Sequence, residues 1–154
     1  MDQLKEWNNE SSYFPLLEIA KNYDALIFDI WGVIHDGKNP YETTVACINQ
    51  LIDDGKIVTF LSNMPRPGNL PIQKLADFGI KMDKCILYTS GDLVKEQFIS
   101  WDDEVFQTLG KKVYHFGKER NEDILSNLDV ELVDDVEQAD FVLLTLFMEE
   151  GEDL

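Results

Sequence analysis

Long apolar runs of the kind that form buried strands recur three times in the first two thirds of the chain. The runs are "DALIFDI", "KIVTFLSN" and "CILYTS". Because they lack polar–apolar alternation, they are typical of parallel strands that are covered on both faces. A segment with helical spacing follows each run, the last being "GDLVKEQFISW". The order strand, helix, strand, helix, strand, helix predicts an α/β fold with helices on both faces of a parallel sheet.

The segments between the strands carry the signals of helices. In "YETTVACINQLIDDGK" the apolar residues that share one helical face are Val45, Ile48, Leu51 and Ile52. The segment "NLPIQKLADFGI" predicts a second helix with Asn69 as its cap. A shorter helix is expected in "SSYFPLLEIAKN", where Ser11 or Ser12 can cap the first turn.

The same pattern restarts after Trp101. Three further apolar runs predict strands, with short helices between them. A module boundary is expected near residues 102 to 110, which divides the chain into a core module over 1–104 and the beginning of a second module over 105–154. Since the last apolar run is followed directly by "MEEGEDL", we expect a truncated chain or one half of a split protein.

Composition and charge restrict the classes of partner. The chain has 154 residues, of which 44% are hydrophobic and 28% charged, and its net charge is −17. The acidic balance argues against nucleic acid as a partner, because phosphate backbones require a basic surface. No apolar stretch approaches the roughly 18 residues of a membrane span, and the polar start "MDQLKEWNNE" does not look like a signal peptide. We therefore expect a cytoplasmic protein in which Cys47 and Cys85 are reduced.

Polar residues gather where the three predicted strands end. Asp29 ends the first run, Ser62 and Asn63 end the second, and Ser90 and Gly91 end the third. In an open parallel sheet, ligands bind at the carboxyl ends of the strands. A carboxylate can attack phosphorus or bind a hard cation, while hydroxyl and amide groups can hold phosphate oxygens. The residues indicate a phosphate-handling site, unless Asp29 only caps a turn and Ser62 is an ordinary loop residue.

Two short motifs resemble those of a known superfamily. "FDIWGVIHDG" resembles the first motif of the haloacid dehalogenase superfamily, D-x-D-G-[TV]-[LI], and "FLSNMPRP" resembles the second, a strand ending in Ser or Thr followed by Asn. The segments "ILYTSGDLV" and "KKVYHFGKERNEDIL" look like the entry into the large α/β cap of subclass IIA, which includes 4-nitrophenylphosphatase-like enzymes. The first motif is also similar to that of a bacterial clade with D-x-W-G-V-x-H-D-G. The resemblance implies a Rossmann-like, three-layer parallel sheet with a partial core, followed by the start of the cap.

This resemblance implies a role for each matching residue. Asp29 would attack the phosphoryl group to form an aspartyl-phosphate and would also bind Mg²⁺. The backbone carbonyl of Trp31 would be a second Mg²⁺ ligand, while Ser62 and the Asn63 amide would hold the transferred phosphoryl oxygens. The implied substrate is a small phosphorylated molecule, and the implied activity is that of a phosphatase.

Two departures from the family pattern bear on that activity. Phosphatases of the family have an acid two residues after the nucleophile, where this chain has Trp31. General acid–base assistance worth about 10²- to 10⁴-fold is then lost, unless His35 or Asp36 replaces it; each can equally be a turn residue. The third and fourth motifs, a Lys and one or two acids, have no counterpart, which leaves the Mg²⁺ site short of carboxylates and the edge of the first strand open. Arg66 could reach an anionic substrate.

Two other functions remain open. A non-catalytic protein would bind phosphate, or would pair with a partner such as the missing C-terminal half or a second copy of the chain. Chemistry without phosphate at Asp29, such as dehalogenation, is the other alternative. Dehalogenases of the superfamily usually carry a helical cap, whereas the segment after Lys111 has an α/β pattern.

Overall fold

The computed structural model describes residues 15–145, except for the side chains of residues 119 and 120. In chain order the helices and strands are α1 (Leu16–Ala20), β1 (Ala25–Phe28), α2 (Glu42–Asp53), β2 (Ile57–Ser62), α3 (Asn69–Asp77), β3 (Cys85–Thr89), α4 (Ser90–Ser100), α5 (Glu104–Thr108), β4 (Lys112–Phe116), β5 (Glu131–Leu132) and β6 (Phe141–Leu144). Short 3₁₀ helices cover Met82–Lys84, Glu119–Leu125 and Val136–Gln138. The predicted caps Ser11 and Ser12 lie outside the described residues, and Pro15 occupies the N-cap position of α1.

The first sheet is parallel and has the strand order β1-β2-β3. Helix α2 joins β1 to β2 and buries the apolar face that its spacing predicts, which consists of Val45, Ile48, Leu51 and Ile52. Ala20 of α1 and Leu75 of α3 belong to the same buried cluster, together with Phe28, Val58 and Phe60 of the sheet. Among the described residues β1 forms one edge of this sheet, so Asp29 follows an edge strand.

The other face of this sheet differs from the sequence-based expectation. The strands were predicted to be covered on both faces, but the side chain of Ile27 is 71% exposed and that of Ile86 is 57% exposed. Strand register places these two residues on either side of Thr59, in one row across the sheet. The reason is that α1, α2 and α3 all pack on the opposite face. The crossovers through α2 and α3 run in the same direction across the sheet, so crossovers of one hand place both helices on one side. The described residues therefore supply the sheet and one of its helix layers.

Helix α3 begins differently from its prediction. Gly68, not Asn69, occupies the N-cap position, and no side chain caps the helix. The backbone N–H of Gly68 instead donates to the carboxylate of Asp92, at the start of α4. The helix start is therefore determined by a contact between two elements that are distant in sequence.

A second parallel sheet, with the order β5-β4-β6, follows α5. It confirms the α/β pattern predicted after Lys111. The helix predicted after β4 is present only as the 3₁₀ helix Glu119–Leu125. Asn121 and Asp123 lie there, and such side chains compete with the backbone hydrogen bonds of an α-helix. None of the helices in the described part of the chain has the length and apolar character that crossing a membrane requires.

Candidate active site

Asp29 lies directly after β1, at the carboxyl end of the first sheet. Its side chain is exposed, and Oδ1 accepts a hydrogen bond from the backbone N–H of Ile30 at 2.7 Å. The buried neighbours Phe28 and Ile30 anchor the backbone on both sides of it. A carboxylate held in this way on a rigid strand end is accessible to a ligand.

The segment that follows, residues 31–40, folds into a tight loop over the strand end. Isolated bridges pair His35 with Trp31 and with Pro40. The Nδ1 atom of His35 accepts a hydrogen bond from the backbone N–H of Gly37 at 2.8 Å. Gly37 has φ of +105°, and a Cβ atom there would lie 3.4 Å from Nε1 of Trp31. Glycine at position 37 therefore permits both the turn and the close approach of the indole.

His35 is buried in this loop. Its ring meets that of Phe78 edge-on, with 5.4 Å between centroids. Burial lowers the pKa of His35 below its ordinary value, and the nearby ammonium of Lys74 lowers it further, while Asp36 acts in the opposite direction. The neutral imidazole with a proton-free Nδ1 is the form that the Gly37 hydrogen bond requires.

Asp36 organises the same loop from its solvent side. Its Oδ1 atom accepts hydrogen bonds from the backbone N–H groups of Lys38 at 2.8 Å and Asn39 at 2.7 Å. The hydrogen bonds from Asn39 and then Lys38 lower the pKa of Asp36, because they stabilise the charged form. Asp36 is therefore a turn carboxylate, and it does not belong to the residues that line the cleft described below.

The loop after β2, residues 62–68, is held by the start of α4. The Oγ atom of Ser62 accepts a hydrogen bond from the backbone N–H of Met64 at 3.3 Å. The Met64 carbonyl accepts hydrogen bonds from Ser90 Oγ at 2.9 Å and from the Gly91 N–H at 3.1 Å. The polar end of the third strand therefore supports the loop that carries Ser62 and Asn63.

These segments enclose one cleft of about 570 Å³. The sequence-predicted site residues that line it are Asp29, Trp31, His35, Ser62, Asn63 and Arg66. The side chain of Trp31 is 54% exposed at its mouth. Two polar residues that the sequence did not single out, Lys74 and Asn121, also line the cleft. Lys74 lies one helical turn after Pro71 in α3, but only the fold shows that this face of α3 adjoins Asp29.

Basic and amide groups also line the cleft. The ammonium of Lys74 donates to the Gly37 carbonyl at 2.8 Å. Arg66 Nη2 forms an ion pair with Asp123 Oδ2 at 3.0 Å, while its buried Nε has no hydrogen-bond partner. Asn121 is buried and donates from Nδ2 to the carbonyl of Thr145 at 2.9 Å. The second module therefore contributes to the cleft wall through Asn121, with Asp123 beside Arg66.

The donors near Asp29 suit a hard cation only in part. No group of three or more His, Cys, Asp or Glu side chains with the spacing of a metal site occurs among residues 15–145. Mg²⁺ is usually held by one or two carboxylates together with substrate phosphate oxygens and water. Asp29 supplies one carboxylate in the cleft lining, which is the smallest number that such a Mg²⁺ site uses.

Comparison with known proteins agrees with the motifs. The family model described as haloacid dehalogenase-like hydrolase matches residues 26–131. A solved haloacid dehalogenase-like family hydrolase from Brucella suis 1330 is 28% identical with a TM-score of 0.74, over 92% of this chain and 52% of its own. The search of curated proteins gave no match.

Two further solved structures share the fold at lower identity. A hypothetical protein from Pyrococcus horikoshii OT3 is 24% identical with a TM-score of 0.52, over 72% of this chain and 41% of its own. A p-nitrophenyl phosphatase from Archaeoglobus fulgidus is 22% identical with a TM-score of 0.56, over 84% of this chain and 46% of its own. The chain thus spans about half the length of these solved relatives. Because the family model covers more than half of the chain, including Asp29 and Ser62, the protein belongs to the haloacid dehalogenase-like hydrolases.

Proposed function

We propose that the protein is a Mg²⁺-dependent phosphatase that acts on a small phosphorylated metabolite through an aspartyl-phosphate at Asp29. One observation carries this proposal: Asp29 shares a single cleft with Ser62 and Asn63, although more than 30 residues separate them in the sequence. A carboxylate nucleophile opposite hydroxyl and amide donors is the arrangement that phosphoryl transfer needs.

In this proposal each residue has a defined part. A carboxylate oxygen of Asp29 attacks phosphorus, and water later hydrolyses the resulting mixed anhydride. Ser62 and the Asn63 amide hold the equatorial phosphoryl oxygens, with Arg66 and Lys74 adding positive charge to the cleft. Asp29 and the Trp31 carbonyl would hold Mg²⁺, which supplies charge neutralisation at the phosphoryl group when bound.

The division of the chain follows the same proposal. Residues 1–104 would form part of the core domain, and residues 105–154 would begin the α/β cap, whose 3₁₀ helix Glu119–Leu125 carries Asn121 beside the cleft. In relatives built in this way the cap contributes to substrate choice, so Asn121 would contact the leaving group. We also propose a cytoplasmic location, where Cys47 and Cys85, which are both free, would stay reduced.

A second candidate function is suggested by the open face of the first sheet. The exposed row of Ile27 and Ile86, together with the exposed Leu61, is an apolar surface that none of the described residues covers. Contiguous apolar surface of this kind marks an interaction site in many proteins. In this alternative the chain binds phosphate without turnover and pairs through that face with a further polypeptide.

Hydrolysis of an aryl phosphate separates the two functions. The chain, Asp29→Asn and the matched control Asp24→Asn, which changes a carboxylate at the opposite end of β1, are assayed with Mg²⁺ and with a chelator. The phosphatase proposal predicts activity in the chain and in Asp24→Asn that Asp29→Asn and the chelator each abolish. Calorimetric binding of inorganic phosphate without any turnover would overturn it in favour of the binding function.

A further inference from the structure

The residues around Asp29 hold few groups that can give a proton to a leaving group. Trp31 carries the nearest side chain in the sequence that has a polar hydrogen, and it is half exposed at the mouth of the cleft. Its indole N–H donates a hydrogen bond but does not act as an acid, because indole has no accessible ionisation. The side chain at this position can therefore pack against a substrate without protonating it.

His35 and Asp36, the two titratable residues of the neighbouring loop, are occupied by the loop itself. The Nδ1 atom of His35 accepts from the Gly37 N–H, so the ring is a neutral imidazole whose single proton, on Nε2, is far less acidic than a proton of an imidazolium. Asp36 accepts from two backbone N–H groups and lies outside the cleft lining. Neither residue is positioned as the acid that the reaction would use.

The remaining polar residues of the cleft stabilise charge instead. Arg66 is held by Asp123, and the Lys74 ammonium already donates to the Gly37 carbonyl. Ser62 accepts from the Met64 N–H and offers only a hydroxyl. The described part of the cleft thus provides a nucleophile and positive charge, but no carboxylic acid or imidazolium to protonate a leaving group, and the Lys74 ammonium is already hydrogen-bonded to the Gly37 carbonyl.

We propose that this site transfers phosphoryl groups from donors whose leaving group departs as a stable anion without taking up a proton. Acyl phosphates and phosphates of acidic phenols belong to this class, whereas alkyl phosphate monoesters do not. The proposal rests on the proposed function and names its substrate class. Asn121 and the exposed indole of Trp31 would then contact the departing anion.

The step balances without an added proton. A carboxylate oxygen of Asp29 forms a bond to phosphorus, and the bond from phosphorus to the leaving oxygen breaks with its electron pair on that oxygen. An acyl phosphate releases a carboxylate in this way, and an aryl phosphate releases a phenolate. An alkyl phosphate would have to release an alkoxide, which is too basic to leave unprotonated at neutral pH.

The test is the dependence of kcat/KM on the acidity of the leaving group. The whole chain is assayed with Mg²⁺ on acetyl phosphate, on a series of substituted phenyl phosphates and on glycerol phosphate. We expect kcat/KM to fall by at least ~100-fold from the most acidic to the least acidic leaving group, which is the scale of the missing proton transfer. Trp31→Asp should flatten this dependence and raise activity on glycerol phosphate, whereas the matched aromatic control Trp31→Phe should keep it steep.

The outcomes distinguish this inference from the proposed function. Equal rates on acetyl phosphate and glycerol phosphate, both abolished in Asp29→Asn, would overturn the inference and leave the phosphatase standing. An unchanged steep dependence in a Trp31→Asp variant whose circular dichroism is native would also overturn the inference. Absence of any reaction that depends on Asp29, with every donor, would overturn the proposed function and the inference together.

Discussion

The carboxylate of Asp92 accepts hydrogen bonds from the backbone N–H of Gly68 at 2.9 and 3.1 Å, across 24 residues of sequence. The same carboxylate accepts from the N–H of Thr89 at 3.0 Å, and Thr89 Oγ1 in turn accepts from the Asp92 N–H at 2.9 Å, which completes the capping box of α4. One side chain therefore starts α4 and holds the end of the 62–68 loop. Any displacement of that loop would move Ser62 and Asn63 relative to Asp29.

Replacement of Asp92 by alanine tests this link. We expect Asp92→Ala to lower the free energy of unfolding by about 1 kcal/mol through the lost cap. We also expect kcat/KM on an aryl phosphate to fall about tenfold or more, because small misplacements of binding groups are costly. The matched control is Asp103→Ala, which removes the carboxylate cap of α5; Asp103 forms this cap through the N–H groups of Val105 and Phe106, outside the 62–68 loop. Equal kinetic effects in the two variants would show that Asp92 does not position the loop.

Gly91 should tolerate no side chain. A Cβ atom there would lie 2.5 Å from the backbone N of Arg66 and 2.6 Å from its carbonyl carbon. Because these are backbone atoms, the 62–68 loop itself would have to move. We expect Gly91→Ala to cost about 2 kcal/mol in urea unfolding and to abolish most of the phosphatase activity. Ile99→Ala, at an exposed position of the same helix, should change neither; a native stability for Gly91→Ala would contradict the close approach.

The ion pair of Arg66 with Asp123 should affect ligand binding more than stability. Both side chains are partly exposed, so the pair contributes less than about 1 kcal/mol to stability. Asp123→Asn should leave the Arg66 guanidinium to interact with the substrate alone and lower KM severalfold, whereas Arg66→Gln should raise KM. Asp129→Asn, which breaks an exposed ion pair with Lys111 away from the cleft, is the control. An unchanged KM in Arg66→Gln would remove Arg66 from the binding site.

The open face of the first sheet predicts association. With Ile27 and Ile86 exposed, we expect sedimentation velocity to show concentration-dependent self-association of the chain. The double variant Ile27→Lys, Ile86→Lys should reduce this association, while Ile99→Lys, which changes an equally exposed residue elsewhere, should not. A monomer at all concentrations would show that this face has no affinity for a second copy.

Local patterns predicted the elements that carry the site. The apolar runs located β1, β2 and β3, and the strand ends located Asp29 and Ser62, because alternating strands and helices impose parallel connections. The helical spacing of α2 predicted its buried face correctly, since that face depends only on a period of 3.6 residues. The family comparison confirmed the α/β fold and the superfamily that the two motifs indicated.

Contacts between segments that are distant in the sequence could not be predicted from local patterns. Lys74 and Asn121 line the cleft only because α3 and the second module fold against it. The N-cap of α3 was predicted at Asn69, one residue after its observed position at Gly68, whose N–H is bound by Asp92. The apolar runs did not predict that one face of the sheet is exposed in the described residues. A strand rich in Ile and Leu has the same sequence pattern whether or not a helix layer covers that face.

The proposed phosphatase mechanism depends on a covalent intermediate at Asp29. The most direct measurement is mass spectrometry of the chain after incubation with Mg²⁺ and acetyl phosphate, followed by acid quenching and peptide mapping. We expect the mass of one added phosphoryl group on the peptide that contains Asp29, and none in Asp29→Asn. Consumption of acetyl phosphate with the phosphoryl group on another residue, or with an equal rate in Asp29→Asn, would contradict it.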